Sequence, residues 1–176
     1  APLTPPARRF LILSKIDESI ELEGKKYNLY TNMCKDYISE GYDFQESFEK
    51  DYIPIFTYQV EDTKIKKMIC MEYGKNIVTL LYKIKNGSKK AKLTLAPIMN
   101  YRDFHQMNTN HTYLLKQDVK GRKVKIVIDE NRDVPIYLCA SEGEYFEHVN
   151  DTFKNMFYLE EEKRGFYPEE NHVVVR

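Results

Sequence analysis

The sequence predicts an all-β protein, an antiparallel β-sandwich with few or no helices. Three observations carry this. The dominant hydrophobic period is two, turn signals recur roughly every ten residues, and no strand–helix–strand alternation appears. "RFLILSK", "SIELE" and "KYNLYT" (9–15, 19–23 and 26–31) are short, rich in β-formers, and broken by turn pairs such as Glu23-Gly24. "TKIKKMICMEY" alternates in part through Ile65, Met68 and Cys70. "NIVTLLYKIK" and "KAKLTLAPIM" flank "NGSKK", where Asn86-Gly87 predicts a tight hairpin. Another hairpin is predicted at Lys120-Gly121, between "TYLLKQDV" and "RKVKIVIDE". In "KVKIVI", Val124, Ile126 and Ile128 share one face. "VPIYLCA" and "YFEHVNDTFKNMFYLEE" close the series. Only 36–50 and 142–158 could be helical, and neither holds an unbroken i, i+3, i+4 stripe.

Composition narrows the function classes. The chain of 176 residues fits a single domain, 1–176, with no low-complexity tract, repeat or linker. Lys plus Arg and Asp plus Glu both number 27, so no global field favours nucleic acid or an anionic membrane. No apolar run approaches the roughly 20 residues that span a bilayer. The start, "APLTPPARRF", has neither an initiator Met nor a signal-peptide core, which leads us to expect a fragment of a longer chain. Cys34, Cys70 and Cys139 are odd in number and widely spaced, which speaks against a disulfide framework and a structural zinc site. A reducing cytoplasm is the expected compartment. Sequons at Asn86, Asn110 and Asn150 carry no weight there.

One stretch, "YRDFHQMNTNH" (101–111), concentrates chemistry-bearing side chains behind an apolar strand. His105 and His111 are six apart, not the four that share a helix face, and no further ligand sits at a familiar offset, so no metal is expected. Neither a nucleophile elbow nor a glycine-rich phosphate cradle is present. A glycosidase needs only two carboxylates, about 5–5.5 Å apart for retention or about 6.5–9.5 Å for inversion. Asp103, Glu161, Glu162, Glu169 and Glu170 are nominal candidates, but a chain with 27 acidic residues always offers some pair, and "EEEKR" reads as a solvated face. Arg102 and Asp103 have two readings. A continuing strand sends them to opposite faces, whereas a strand ending near Asn100 lets a turn bring both to the sheet rim. They serve there as an ion pair and loop anchor, or as donor and acceptor for sugar hydroxyls. Fourteen Tyr and nine Phe suit carbohydrate rings, though strands use them for packing as well.

The ordered series "LILSKIDESI", "ESFEKDYIPIFTYQV", "KKMICMEYGKN", "LAPIMNYRDFH" and "EEEKRGFYPEEN" resembles the N-terminal domain of bacterial and archaeal glycogen debranching enzymes, from about Arg9 to His172. The resemblance implies a β-sandwich of the supersandwich type. It also implies a separate C-terminal (α/α)6 barrel, which holds the catalytic carboxylates of the amylo-1,6-glucosidase, so this chain is the non-catalytic part of a glycoside hydrolase. The family's R-D-x-H run falls on Arg102, Asp103 and His105, and its E-x-x-R-G run on Glu161, Arg164 and Gly165. Its Glu-Asp falls on Glu170-Asn171, where Asn replaces Asp and puts any role for a second carboxylate in doubt. The family's upstream arginine, tyrosine and histidine run is missing, so an edge strand is expected either to be absent or not to be seen.

Several expectations follow. Tyr101, Arg102, Asp103 and His105 contact substrate, and Glu161, Arg164 and Glu170, within the charged stretch 159–171, form an interdomain face. The partners are the catalytic barrel of the same polypeptide and an α-glucan such as glycogen or a maltooligosaccharide, with no nucleic acid, membrane or cofactor. Remote binding of this kind orients a long substrate for chemistry elsewhere. The competing readings are a purely structural interaction domain and a self-sufficient β-sandwich glycosidase.

Overall fold

The computed structural model describes residues 2–4, 7–109, 113–128, 131–147 and 151–175. Its strands in chain order are β1 (Pro2–Thr4), β2 (Ala7–Leu22), β3 (Lys25–Asn28), β4 (Met33–Cys34), β5 (Tyr37–Ile38), β6 (Gln45–Lys50), β7 (Pro54–Val60) and β8 (Thr63–Met71). They continue as β9 (Val78–Lys85), β10 (Ala91–Asp103), β11 (Leu115–Lys120), β12 (Lys123–Ile128), β13 (Asn131–Cys139), β14 (Asp151–Phe157) and β15 (Glu169–Val174). One short α-helix, α1 (Leu159–Lys163), and one 3-10 turn, Gly41–Phe44, are the helical elements among the described residues. The fold is antiparallel and all-β, as the period of two predicted.

The chain divides into two compact units. Unit 1 comprises Ala1–Pro2, Asp17–Asn32 and Tyr37–Leu95. Here the outer half of β2 pairs with β3 from Ser19↔Asn28 to Leu22↔Lys25, across a two-residue turn with Glu23 at φ 48° and Gly24 at φ 85°. Its second sheet has the order β6-β7-β8-β9. Ile20, Leu22 and Leu29 pack with Tyr58, Val60 and Ile65 to form its core. A charge lies inside that core. Glu18, only 4% exposed, accepts from the Tyr82 hydroxyl at 2.7 Å and pairs with Lys67 Nζ at 2.5 Å. Burial, with the Glu18 charge adding, pushes the Tyr58 phenol up to about 12 and raises Tyr82 further.

Unit 2 comprises Leu3–Ile16, Met33–Asp36 and Ala96–Arg176. One of its sheets runs β2-β10-β15-β14-β4 and the other β11-β12-β13. Met99, Tyr101, Val173 and Val175 from the first meet Leu115, Val124, Ile126 and Ile128 from the second, so the predicted one-faced set in "KVKIVI" is the core face. The predicted hairpin at Gly121 is present. Lys120 pairs with Lys123, and Gly121, at φ 58°, makes the turn.

Two local expectations fail, the Asn86-Gly87 hairpin and the break between 9–15 and 19–23, while the two segments weighed as helical contribute strands. Asn86-Gly87 joins no hairpin, because β9 ends in one sheet while β10 enters another. The loop is instead tied to the β7–β8 turn. Ser88 donates its backbone N–H to Asp62 Oδ2 at 2.8 Å, and Thr63 Oγ1 donates to Asn86 Oδ1 at 3.2 Å. Gly87 lets the two turns approach closely, since a Cβ there would displace the Asp62 carboxylate. The 36–50 segment forms β5, the 3-10 turn and β6, where Phe48 pairs with Phe56 across the strands. The 142–158 segment contributes β14, with a bulge where Asn155 takes φ 59°. Neither segment has an apolar stripe that would hold a helix to a core. Finally, 9–15 and 19–23 are one strand, β2.

Candidate functional site: a cleft above a buried ion pair in unit 2

Strand β10 does not end at Asn100 but runs to Asp103, so its side chains keep alternating. Met99 and Tyr101 face the core, while Asn100 and Arg102 face the other way. The register Ile98↔Val174 and Met99↔Val173, carried onward, sets Asn100 beside His172 and Arg102 beside Glu170. Residues 68 apart in sequence thereby form one ion pair. Arg102 Nε and Nη2 face the two oxygens of Glu170, with Nη2 donating to Oε2 at 3.2 Å. Glu170 is 0% exposed, and its Oε1 also accepts from the backbone N–H of Asn108 at 3.0 Å. A fork-shaped donor and a backbone amide are what a buried carboxylate needs to offset desolvation.

The rest of this centre is polar and internally satisfied. Asn100 Oδ1 accepts from the Tyr101 N–H at 2.8 Å, and its Nδ2 donates to the Asn171 carbonyl at 3.1 Å. That orientation turns the amide Nδ2 toward His172 Nδ1 at 3.4 Å, so Nδ1 is the acceptor and Nε2 carries the hydrogen. Nε2 faces the Tyr158 hydroxyl at 3.2 Å and Glu170 Oε2 at 3.5 Å, and Ser14 Oγ lies 3.1 Å from Nδ1. Burial holds the His172 pKa below its usual 6.5, against an opposing pull from the Glu170 charge. Burial likewise raises the Tyr158 phenol, with Glu170 adding. Ser, His and Glu here resemble a hydrolytic triad only in composition. Both His172 and Glu170 are fully buried, and neither lines the cleft described below.

Beyond β10 the chain is fastened at nearly every residue. Arg102 Nη1 donates to the carbonyls of Asp103 and Phe104 at 3.1 and 3.2 Å. Asp103 Oδ1 accepts from the His105 N–H at 2.9 Å, and Phe104 donates its N–H to the Arg9 carbonyl at 2.8 Å. The Arg9 guanidinium sits 4.9 Å from the Phe104 ring centre. Asn171, standing where the resemblance leads one to expect Asp, uses both ends of its amide. Nδ2 donates to the Thr109 carbonyl at 2.9 Å, and Oδ1 accepts from the Asn155 N–H at 3.1 Å. A carboxylate cannot make the first of these bonds.

This loop walls a cleft of about 420 Å³. Phe10, Tyr101 and Tyr113 supply aromatic surface, with Phe10 and Tyr101 centroids 5.0 Å apart and Tyr113 edge-on to Tyr101 at 6.0 Å. Asp103, Gln106, Asn108 and Thr109 supply acceptors and donors. Three of the four predicted contact residues, Tyr101, Arg102 and Asp103, line the cleft. His105 is exposed outside it, edge-on to Phe104. Glu161 on helix α1 pairs with Arg164 just past its end at 3.1 Å, whereas Glu170 is separated from them by its burial against Arg102. His111, Asn110 and Asn150 lie outside the described residues. Among the described residues no group of three or more His, Cys, Asp or Glu is arranged to hold a metal.

Sequence reasoning missed Asn100, Asn108, Tyr158 and His172. A signal existed for two of them. Asn100 in "LAPIMNY" and His172 in "ENHVVV" are polar residues inside apolar strand runs, where a buried hydrogen-bond network is the usual reason.

The family model described as glycogen debranching enzyme N terminal matches residues 1–176. The chain belongs to this family. Within this debranching-enzyme N-terminal domain, the matched length takes in both units and the cleft wall. No curated protein and no solved structure gives a significant match.

Proposed function

We propose that residues 1–176 work as one accessory domain of a cytoplasmic glycogen debranching enzyme, and that the unit 2 cleft holds part of an α-glucan chain. The reaction itself belongs to a catalytic barrel of the same polypeptide, the amylo-1,6-glucosidase. The observation carrying this reading is the meeting of aromatic surface from Phe10 and the edges of Tyr101 and Tyr113, 9% and 8% exposed, with a rim of carboxylate, amide and hydroxyl groups in one open cleft. Glucose rings present flat C–H faces and a belt of hydroxyls, so they need just such a mixture. The buried Arg102–Glu170 pair serves the site indirectly by holding the loop that presents Asp103, Gln106 and Thr109.

The face that docks on the barrel is the exposed C-terminal stretch. Glu161 and Arg164 are flanked by Leu159, Phe166 and Tyr167, each 42–59% exposed, with Arg164 over the Phe166 ring at 5.3 Å. Apolar rings beside charges that can re-pair across a boundary suit an interdomain contact.

Calorimetric titration of the 176-residue chain with maltoheptaose tests the sugar site. Saturable millimolar binding is expected, weakened about tenfold, or 1.4 kcal/mol, by the Asp103→Ala/Gln106→Ala double variant. A second reading, a structural domain without sugar contact, is favoured by Arg102 spending its Nη1 and Nη2 donors inside the chain. It predicts no heat from either chain, and loss of stability in a barrel expressed without this domain.

A further inference from the structure

Zero net charge conceals a local concentration of positive charge in unit 1. Strands β8 and β9 pair with Lys64 opposite Lys85 and Lys66 opposite Lys83. Cross-strand partners share a face, and so do residues two apart along one strand, so four ammonium groups stand on one face of a single hairpin. Strand rise and separation put their Cα atoms at the corners of a rectangle of roughly 7 by 5 Å. The adjoining strand β7 brings only Gln59 beside Lys64 and Thr57 beside Lys66. One carboxylate, Glu46, reaches Lys64 at 2.6 Å. Among the described residues, Lys66, Lys83 and Lys85 are exposed and pair with no acid. Lys67, the next residue in sequence, points the other way to Glu18.

Like charges directly opposite one another weaken a sheet, and here two such pairs follow in succession. Edge protection explains half of this arrangement. β9 is the last strand of its sheet, and lysines on an edge deter pairing with another chain. It leaves Lys64 and Lys66 unexplained, because β8 is an interior strand. The geometry points to an anion site on this face whose ligand carries two or more closely spaced phosphate groups. Lysine heads on flexible stems act as point charges that converge on a compact, multiply charged anion. No arginine fork sits on this face to favour a lone carboxylate. The site is independent of the cleft in unit 2.

Thermal unfolding and NMR titration with tripolyphosphate at constant ionic strength test it. The chain should gain stability saturably, with amide shifts at Lys64, Lys66, Lys83 and Lys85. Lys66→Gln/Lys83→Gln should weaken binding about tenfold or more, while its ligand-free Tm stays equal or rises as the repulsion is relieved. Lys85→Gln alone should give a smaller loss, and Lys123→Gln, in unit 2, none. The proposal is overturned by no saturable response, by an undiminished response in the double variant, or by equally tight binding of a glutamate peptide of the same charge.

Discussion

Each unit buries one carboxylate against one cation, and the two arrangements do different work. In unit 1, Glu18 on β2 meets Lys67 on β8 and Tyr82 on β9, so the ion pair joins two sheets through their facing cores. In unit 2, Glu170 meets Arg102 on the neighbouring strand, and the same carboxylate accepts a backbone N–H from Asn108 in the loop beyond β10. The cation differs accordingly. Lys67 is a single point charge on a flexible stem, whereas Arg102 spreads donors to the carboxylate and to two loop carbonyls at once. A buried charge that ends on sheet residues holds packing, while one that ends on a loop backbone holds a surface in shape.

The sharpest way to break this contrast is Glu170→Gln. It leaves Arg102 buried without a counter-charge, and a loss of about 3–5 kcal/mol in denaturant unfolding is expected, together with loss of sugar binding as the loop loosens. Glu18→Gln should cost less, about 1–3 kcal/mol, because the Lys67 stem can carry its head toward water and the loop is untouched. Its maltoheptaose affinity should stay within twofold of the parent. If Glu18→Gln abolished sugar binding as well, the distinction between the two centres would fail.

Asn171→Asp comes next. It replaces the donor to the Thr109 carbonyl by an acceptor, and about 1–2 kcal/mol should be lost by the same measurement. The family-like residue is thus the worse one in this loop.

A pH dependence follows from His172. Its folded pKa lies below 6.5, so the unfolded chain takes up the proton first as pH falls. The stability it contributes is complete above about pH 6.5 and is lost as pH drops below that value toward the folded pKa. Protonation also sets an N–H against the Asn100 amide donor. Tm measured from pH 7.5 to 5 should fall, and His172→Gln should flatten the curve. The smallest effect is expected at Arg164→Ala. Its exposed pair with Glu161 is worth within about 0.5 kcal/mol, so unfolding should barely change, while the proposed docking on the barrel should weaken.

How far the sequence could be read depended on how local the signal was. The turns at Glu23-Gly24 and Lys120-Gly121 were legible because a two-residue loop between alternating runs specifies its own register. Asn86-Gly87 carried the same signal with the opposite outcome. Turn chemistry bends the chain but does not say which sheet the next strand joins, and Asp62, which fixes that loop, lies 26 residues from Ser88. The candidate site shows the same limit. Tyr101, Arg102 and Asp103 were visible as a polar end to an apolar strand, but the partner of Arg102 was not. Glu170 sat in the charged stretch expected to form an exposed interdomain face, and only the β10–β15 register buries it.

The most direct test of the central claim is a residue-resolved NMR titration of the chain with maltoheptaose. The account predicts saturable shifts confined to Phe10, Tyr101, Asp103, Gln106, Thr109 and Tyr113, absent in Glu170→Gln when that variant is held folded at low temperature. Shifts elsewhere, or none at saturating sugar in the folded parent chain, would contradict it.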